Sequence, residues 1–165
     1  MGFQTKVGLY PAIGEPGQEV VPGQAIYTAE NYISDGTLTA GAFAFTASVT
    51  GSDSAVGFKA AGKIGTALLG FVERVLTGVI LSPLDEASAA YASGSSAPIA
   101  LRGQFYAAAT GAVTEGQSVL CDPATGAVTY GASGAANDTG WIVILPAGLA
   151  SAAEGDVVIY QRIGA

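Results

Sequence analysis

Short runs in which apolar and polar residues alternate, broken every few positions by glycine, fill most of the chain. "DGTLTAGAFAFTASVT" opens on an Asp-Gly turn signal and then alternates, with Leu38, Phe43, Phe45 and Val49 as its larger side chains. That is the pattern of a strand with one buried face. "QFYAAA", "SVLCD", "AVTY", "WIVILP" and "DVVIYQRI" have the length and composition of further strands, set between turn formers. "TALLGFVERVLTGVIL" fits two periods, because Leu68, Phe71, Val72, Val75 and Val79 also share one helical face. Gly70, Gly78 and the β-branched residues between 72 and 80 weaken that helix and favour strands. One short helix is expected at "SPLDEASAAYASG": Ser82 can cap it, Pro83 suits its first position, Asp85 stands where a capping box wants a carboxylate, and Gly94 stops it.

Strands this short, separated by glycine turns, specify an all-β fold, a small antiparallel β-barrel or sandwich, rather than a parallel sheet with crossover helices. Residues 1–34 differ from the rest. Pro11, Pro16 and Pro22 and several glycines forbid a regular helix or central strand, while Phe3, Leu9, Tyr10, Ile13, Ile26, Tyr27, Tyr32 and Ile33 argue against a free solvated tail. An extended N-terminal arm lying along a surface satisfies both constraints, and so does an irregular segment packed on its own domain. The β-rich domain then runs from 35 to 165. It is either one continuous barrel or two lobes, 35–81 and 101–165, joined by the helix and loop at 82–100.

Alanine and glycine supply much of the apolar half of the composition, so the bulk available for a core is low. Charged residues are 12% of the chain, against roughly 25% in an average soluble domain; a surface so poor in charge suits a protein that is covered by another. The net charge is −7, and the six basic residues, Lys6, Lys59, Lys63, Arg74, Arg102 and Arg162, are scattered in sequence, which excludes the clustered cations of a nucleic-acid binder. The most apolar stretch, 64–81, carries Glu73 and Arg74 at its middle, so no membrane partner is expected. The start lacks the charged and apolar regions of a secretory signal, and Cys121 is the only cysteine; the chain reads as soluble and made in a cytoplasm.

Without any histidine, Ser-His-Asp and Cys-His catalysis and His-based metal sites are excluded. No serine stands three residues before a lysine, and no Walker loop is present. Carboxylate pairs remain, but the acids sit in turn contexts such as Asp35-Gly36, Glu115-Gly116, Asp122-Pro123 and Glu154-Gly155-Asp156, where their side chains bond nearby amides. The expectation is a protein that is not an enzyme and that holds no metal or cofactor. Trp141, within an apolar strand, is read as a core or rim residue rather than a sugar-stacking platform, and Cys121 as a small buried hydrophobe.

An octet is nearly doubled, "ATGAVTEG" at 109–116 and "ATGAVTYG" at 124–131. The first copy reads as a short strand between two turns. In the second, Asp122 and Pro123 open a hairpin turn and Gly126 takes positive φ before the chain runs back. Neither copy repeats a ligand group.

The order of these elements resembles known phage proteins. Gly111, Val113, Gly116 and Val119, the turn from Asp122 to Gly126, and the closing Gly155, Asp156, Val157 and Ile159 are similar to the barrel of tailed-bacteriophage head-decoration proteins. Pro11, Ala12 and Gly14, the strand from Thr39 to Phe45 and the strand from Leu69 to Arg74 resemble phage structural cement proteins. The resemblance implies a homodimeric or homotrimeric virion protein on the outer capsid surface that binds the major capsid protein and clamps neighbouring subunits. In that setting the arm carries the contact with capsid or neighbour, with Phe3, Leu9, Tyr10 and Tyr27 as anchors. The alternative reading is a carbohydrate-binding or adhesion module on a virion or tail surface, which requires an exposed aromatic platform.

Overall fold

A computed structural model describes residues 14–47, 59–75, 89–146 and 149–164. Among them every regular element is a strand: β1 (Ile26–Tyr27), β2 (Tyr32–Ser34), β3 (Phe43–Ala47), β4 (Lys59–Gly62), β5 (Leu68–Val72), β6 (Ile99–Ala108), β7 (Val113–Thr114), β8 (Ser118–Cys121), β9 (Val128–Gly131), β10 (Asp138–Ile144), β11 (Ser151–Ala152) and β12 (Val157–Arg162). One sheet runs β2-β4-β3-β5-β6-β12-β10-β8-β9, with β1 added on β6, and a small ribbon pairs β7 with β11. The sheet is antiparallel except that β2 runs parallel to β4, with Tyr32 opposite Lys59. The stretch at 68–72 resolves as strand; residues 76–88, which hold the rest of that run and most of the expected helix, lie outside the described residues. The end of the expected helix, at 89–94, forms a bridge from Ala90 to Thr39 and a turn at Ser93-Gly94.

The long strand β6 joins the two halves of the sheet. Its first residues pair with β5, Ala100 opposite Phe71, and its remainder pairs with β12 from Arg162 opposite Gly103 to Val157 opposite Ala108. Gly103 takes φ +137 where the partners change, and a Cβ there would lie 3.0 Å from the Phe105 ring and 3.1 Å from Ala25. Only glycine lets the backbone turn and be approached that closely.

Alternation along β3, β5 and β6 fills two clusters, one on each face. Phe43, Phe45, Phe71, Ala100 and Phe105 point into the larger core, with Val119, Cys121, Trp141, Val143, Val158 and Tyr160 from the second half of the chain. Phe71 lies at its centre, with ring centroids 5.3 Å from Phe43, 5.4 Å from Phe105, 5.6 Å from Trp141 and 5.8 Å from Tyr160. The intervening Ala44, Val72 and Ile99 point to the other face, where Tyr32, Leu38, Ala40, Tyr91 and Ala97 cover them. β5 is therefore buried on both sides at Phe71 and Val72, and a strand buried on both sides reads as a continuous apolar run.

The far turns of the two halves meet. Gly65 N–H donates to Pro123 O at 3.0 Å, and a Cβ on Gly126, at φ +69, would come within 2.8 Å of the Lys63 carbonyl. The "DPATG" turn thus packs against the β4–β5 turn, its amides held by Asp122: Ala124 N–H at 3.0 Å and Thr125 Oγ1 at 2.8 Å donate to the carboxylate. These bonds hold the Asp122 carboxyl below its ordinary range. In the other copy of the octet, Val113–Thr114 pairs with β11 between turns at Thr110-Gly111 and Glu115-Gly116. Both copies are scaffold.

Candidate functional site

Of the four proposed contact residues, Phe3, Leu9 and Tyr10 lie outside the described residues. Tyr27 lies in β1, 36% exposed. β1 pairs with the start of β6, Tyr27 opposite Ala100, and the Tyr27 phenol lies close to the Glu73 carboxylate. The phenol titrates well above its ordinary range, through burial first and then through Glu73 and the nearby charge of Glu19. Glu73 is raised as well, by burial and by Glu19, against the lowering effect of the Tyr27 phenol. Glu19 itself caps a turn, accepting from Gly23 N–H at 2.9 Å and Ala25 N–H at 2.6 Å.

The segment before β1 is sewn to the domain by its main chain. Gly17 N–H donates to Tyr106 O at 2.8 Å, Tyr106 N–H to Gln18 O at 2.9 Å, Val20 N–H to Gln104 O at 2.9 Å and Arg74 N–H to Gly17 O at 2.8 Å. Glu15 adds an ion pair with Arg74 at 2.8 Å. After β1 the chain enters the sheet as β2, where Glu30 binds Lys59 at 2.6 Å and accepts from the Tyr32 hydroxyl at 2.8 Å. Those partners lower the Glu30 carboxyl, Lys59 foremost. Residues 14–34 are thus integral to the domain. Prolines and glycines that forbid a central strand still permit an edge segment.

Exposed apolar side chains stand beside polar ones near β1. Ile26 is 53% exposed and Ile163, just past β12, is 78% exposed; Leu101 and Val21 are partly open as well. Ile26 and Ile163 line an open groove of about 310 Å³ with Gln24, Arg102, Gln104 and Arg162. The sequence showed those two arginines only as scattered cations. The register of β6 against β1 and β12, with Ile26 opposite Arg102 and Arg162 opposite Gly103, brings them to one place. No periodicity in the chain could have signalled it, since the two lie far apart in sequence.

The remaining candidates fall inside or in turns. Trp141 is fully buried beside a bulge in β10, where Gly140 takes φ +73, Trp141 N–H donates to Thr139 Oγ1 at 3.2 Å and Thr139 Oγ1 donates to Val119 O at 2.7 Å. It offers no platform for a sugar ring. Cys121 is buried, and burial with the adjacent Asp122 pushes its thiol up to about 11. Asp35, Asp138 and Asp156 accept from local turn N–H groups, as the sequence suggested. Among the described residues no three His, Cys, Asp or Glu side chains stand together as a metal site, and no helix is long and apolar enough to cross a membrane.

No curated protein matches the chain. The profile of a phage family described as structural cement protein (E217 gp24/Pam3 gp6) matches residues 3–163, from the first segment to just past β12. That span takes in the β1–β6 seam, the "DPATG" turn and the strands that build both cores. A match running through almost every element of an all-β chain leaves one conclusion: the protein belongs to the phage structural cement family, whose place is the virion.

Proposed function

We propose that the protein binds the outer surface of the assembled phage capsid and cements neighbouring major capsid subunits. The observation that carries this reading is the family profile running from residue 3 to residue 163. The exposed Ile26 and Ile163, which share one groove, agree with it, because singly weak apolar contacts add up when many copies attach to one shell. In this reading the protein is not an enzyme, and residues 1–13, with Phe3, Leu9 and Tyr10, supply contacts to capsid or neighbour. Tyr27, 36% exposed on β1, is a further contact in this reading. Self-association as a homodimer or homotrimer multiplies the attachment points.

Deletion of residues 1–13 tests this and keeps the bonds that sew Gly17, Gln18 and Val20 to β6 and Arg74. The truncated protein is expected to keep its thermal melt and to lose co-sedimentation with capsids that lack the protein. Undiminished co-sedimentation would remove the arm from the mechanism, and failure of the intact protein to co-sediment would remove the capsid reading altogether.

A further inference from the structure

Four of the six basic residues are accounted for otherwise. Lys6 lies outside the described residues; Lys59 pairs with Glu30 and Arg74 with Glu15; Lys63 lies at the β4–β5 turn, away from β1. Arg102 and Arg162 remain, and among the described residues neither has a carboxylate within ion-pair distance. Both line the same groove beside β1. The Arg162 guanidinium rests against the β10 bulge, where a Cβ on Gly140 would sit 3.5 Å from its Cζ and Nε. Gln24 and Gln104 add two amide groups to the groove, and Ile26 and Ile163 form its apolar walls.

A chain of net charge −7 has thus placed two guanidinium groups, without acid partners among the described residues, in one concavity with apolar sides. Guanidinium presents paired N–H donors that match the two oxygens of a carboxylate. Two such forks with flanking isoleucines suit an Asp or Glu side chain next to an apolar residue. Polyphosphate chains and anionic membranes require extended fields of cations, and the remainder of this acidic surface repels them. We propose that this groove receives an acidic side chain, flanked by apolar residues, from the major capsid subunit. The inference rests on the capsid reading and gives that contact its chemistry: charge complementarity sets the register, and burial of Ile26 and Ile163 excludes water from the ion pair.

The experiment uses the full-length protein and purified capsids that lack it, with sedimentation binding measured across a salt series. The double variant Arg102→Gln/Arg162→Gln is expected to bind roughly 10- to 100-fold more weakly, the loss that follows from removing hydrogen bonds to a charged group. Arg102→Lys/Arg162→Lys, which keeps the charge and loses the forks, is expected to fall between. Wild-type binding is expected to weaken with added salt, and this readout stands even if a variant folds poorly. If wild type binds while the glutamine variant binds equally well, or if wild-type binding ignores salt, the groove assignment is overturned and the capsid reading survives. If wild type does not bind capsids, both fall. Comparable binding of wild type to polyphosphate or to anionic phosphatidylserine vesicles, lost in the glutamine variant, would overturn the assignment in favour of a general anion site.

Discussion

Phe71 ties the two halves of the chain together, and its removal measures whether they share one cooperative core. Phe71→Ala deletes a fully buried ring from among Phe43, Phe105, Trp141 and Tyr160, which come from β3, β6, β10 and β12. Burying one aromatic side chain removes about 150–250 Å² from water, which at about 25 cal/mol/Å² is about 4–6 kcal/mol. Measured Phe→Ala losses in cores are about 3–5 kcal/mol. For a chain of this size each kcal/mol lowers Tm by roughly 2–4 °C, so a fall of about 6–20 °C is expected in a thermal melt followed by near-UV circular dichroism. Leu38→Ala probes the cluster on the opposite face of β3 and β5, at about 2–5 kcal/mol. Because Phe43 and Ala44, and Phe71 and Val72, alternate between the two clusters on the same strands, both variants are expected to shift one common transition. Two separate transitions, only one of them moved by Phe71→Ala, would refute a shared core.

Two further outcomes follow from a partly buried and a buried titratable group. The Glu73 carboxyl is raised by burial, so the fold favours its protonated form; the stability it contributes is fully present below the ordinary glutamate range and is lost as pH rises through the folded value. Glu73→Gln, which keeps an oxygen for the Tyr27 hydroxyl, is therefore expected to melt above wild type at pH 7, with the gap closing as the buffer is taken to about pH 4, near the unfolded value; an equal lowering of Tm at both pH values would count against it. Cys121, buried and with its thiol pushed up to about 11, is expected to resist a disulfide reagent at pH 8 in the native protein and to react stoichiometrically in urea. Fast labelling of the folded protein would contradict its place in the core.

The local text of the chain carried most of the strands. Alternation marked β3, short apolar runs between turn formers marked β8, β9, β10 and β12, and Asp-Pro with a following glycine marked the β8–β9 turn, because turn chemistry and local composition are properties of a few consecutive residues. β6 was legible only in its second half. Ile99 to Arg102 follow a proline and a serine-rich loop, and their strand state comes from pairing with β5 and β1. The first segment left two readings open, and its hydrogen bonds from Gly17, Gln18 and Val20 to Gln104, Tyr106 and Arg74 depend on residues far away in sequence.

The sequence by itself determined the all-β class, the turns, the interior places of Trp141 and Cys121, and the family, since each depends on local pattern or on the order of such patterns. Tertiary structure alone decided that Phe71 would meet rings from both halves, that Glu73 would lie under Tyr27, and that Arg102 and Arg162 would share a groove. Those placements depend on strand register between distant segments, where a slip of one residue would send every side chain to the opposite face.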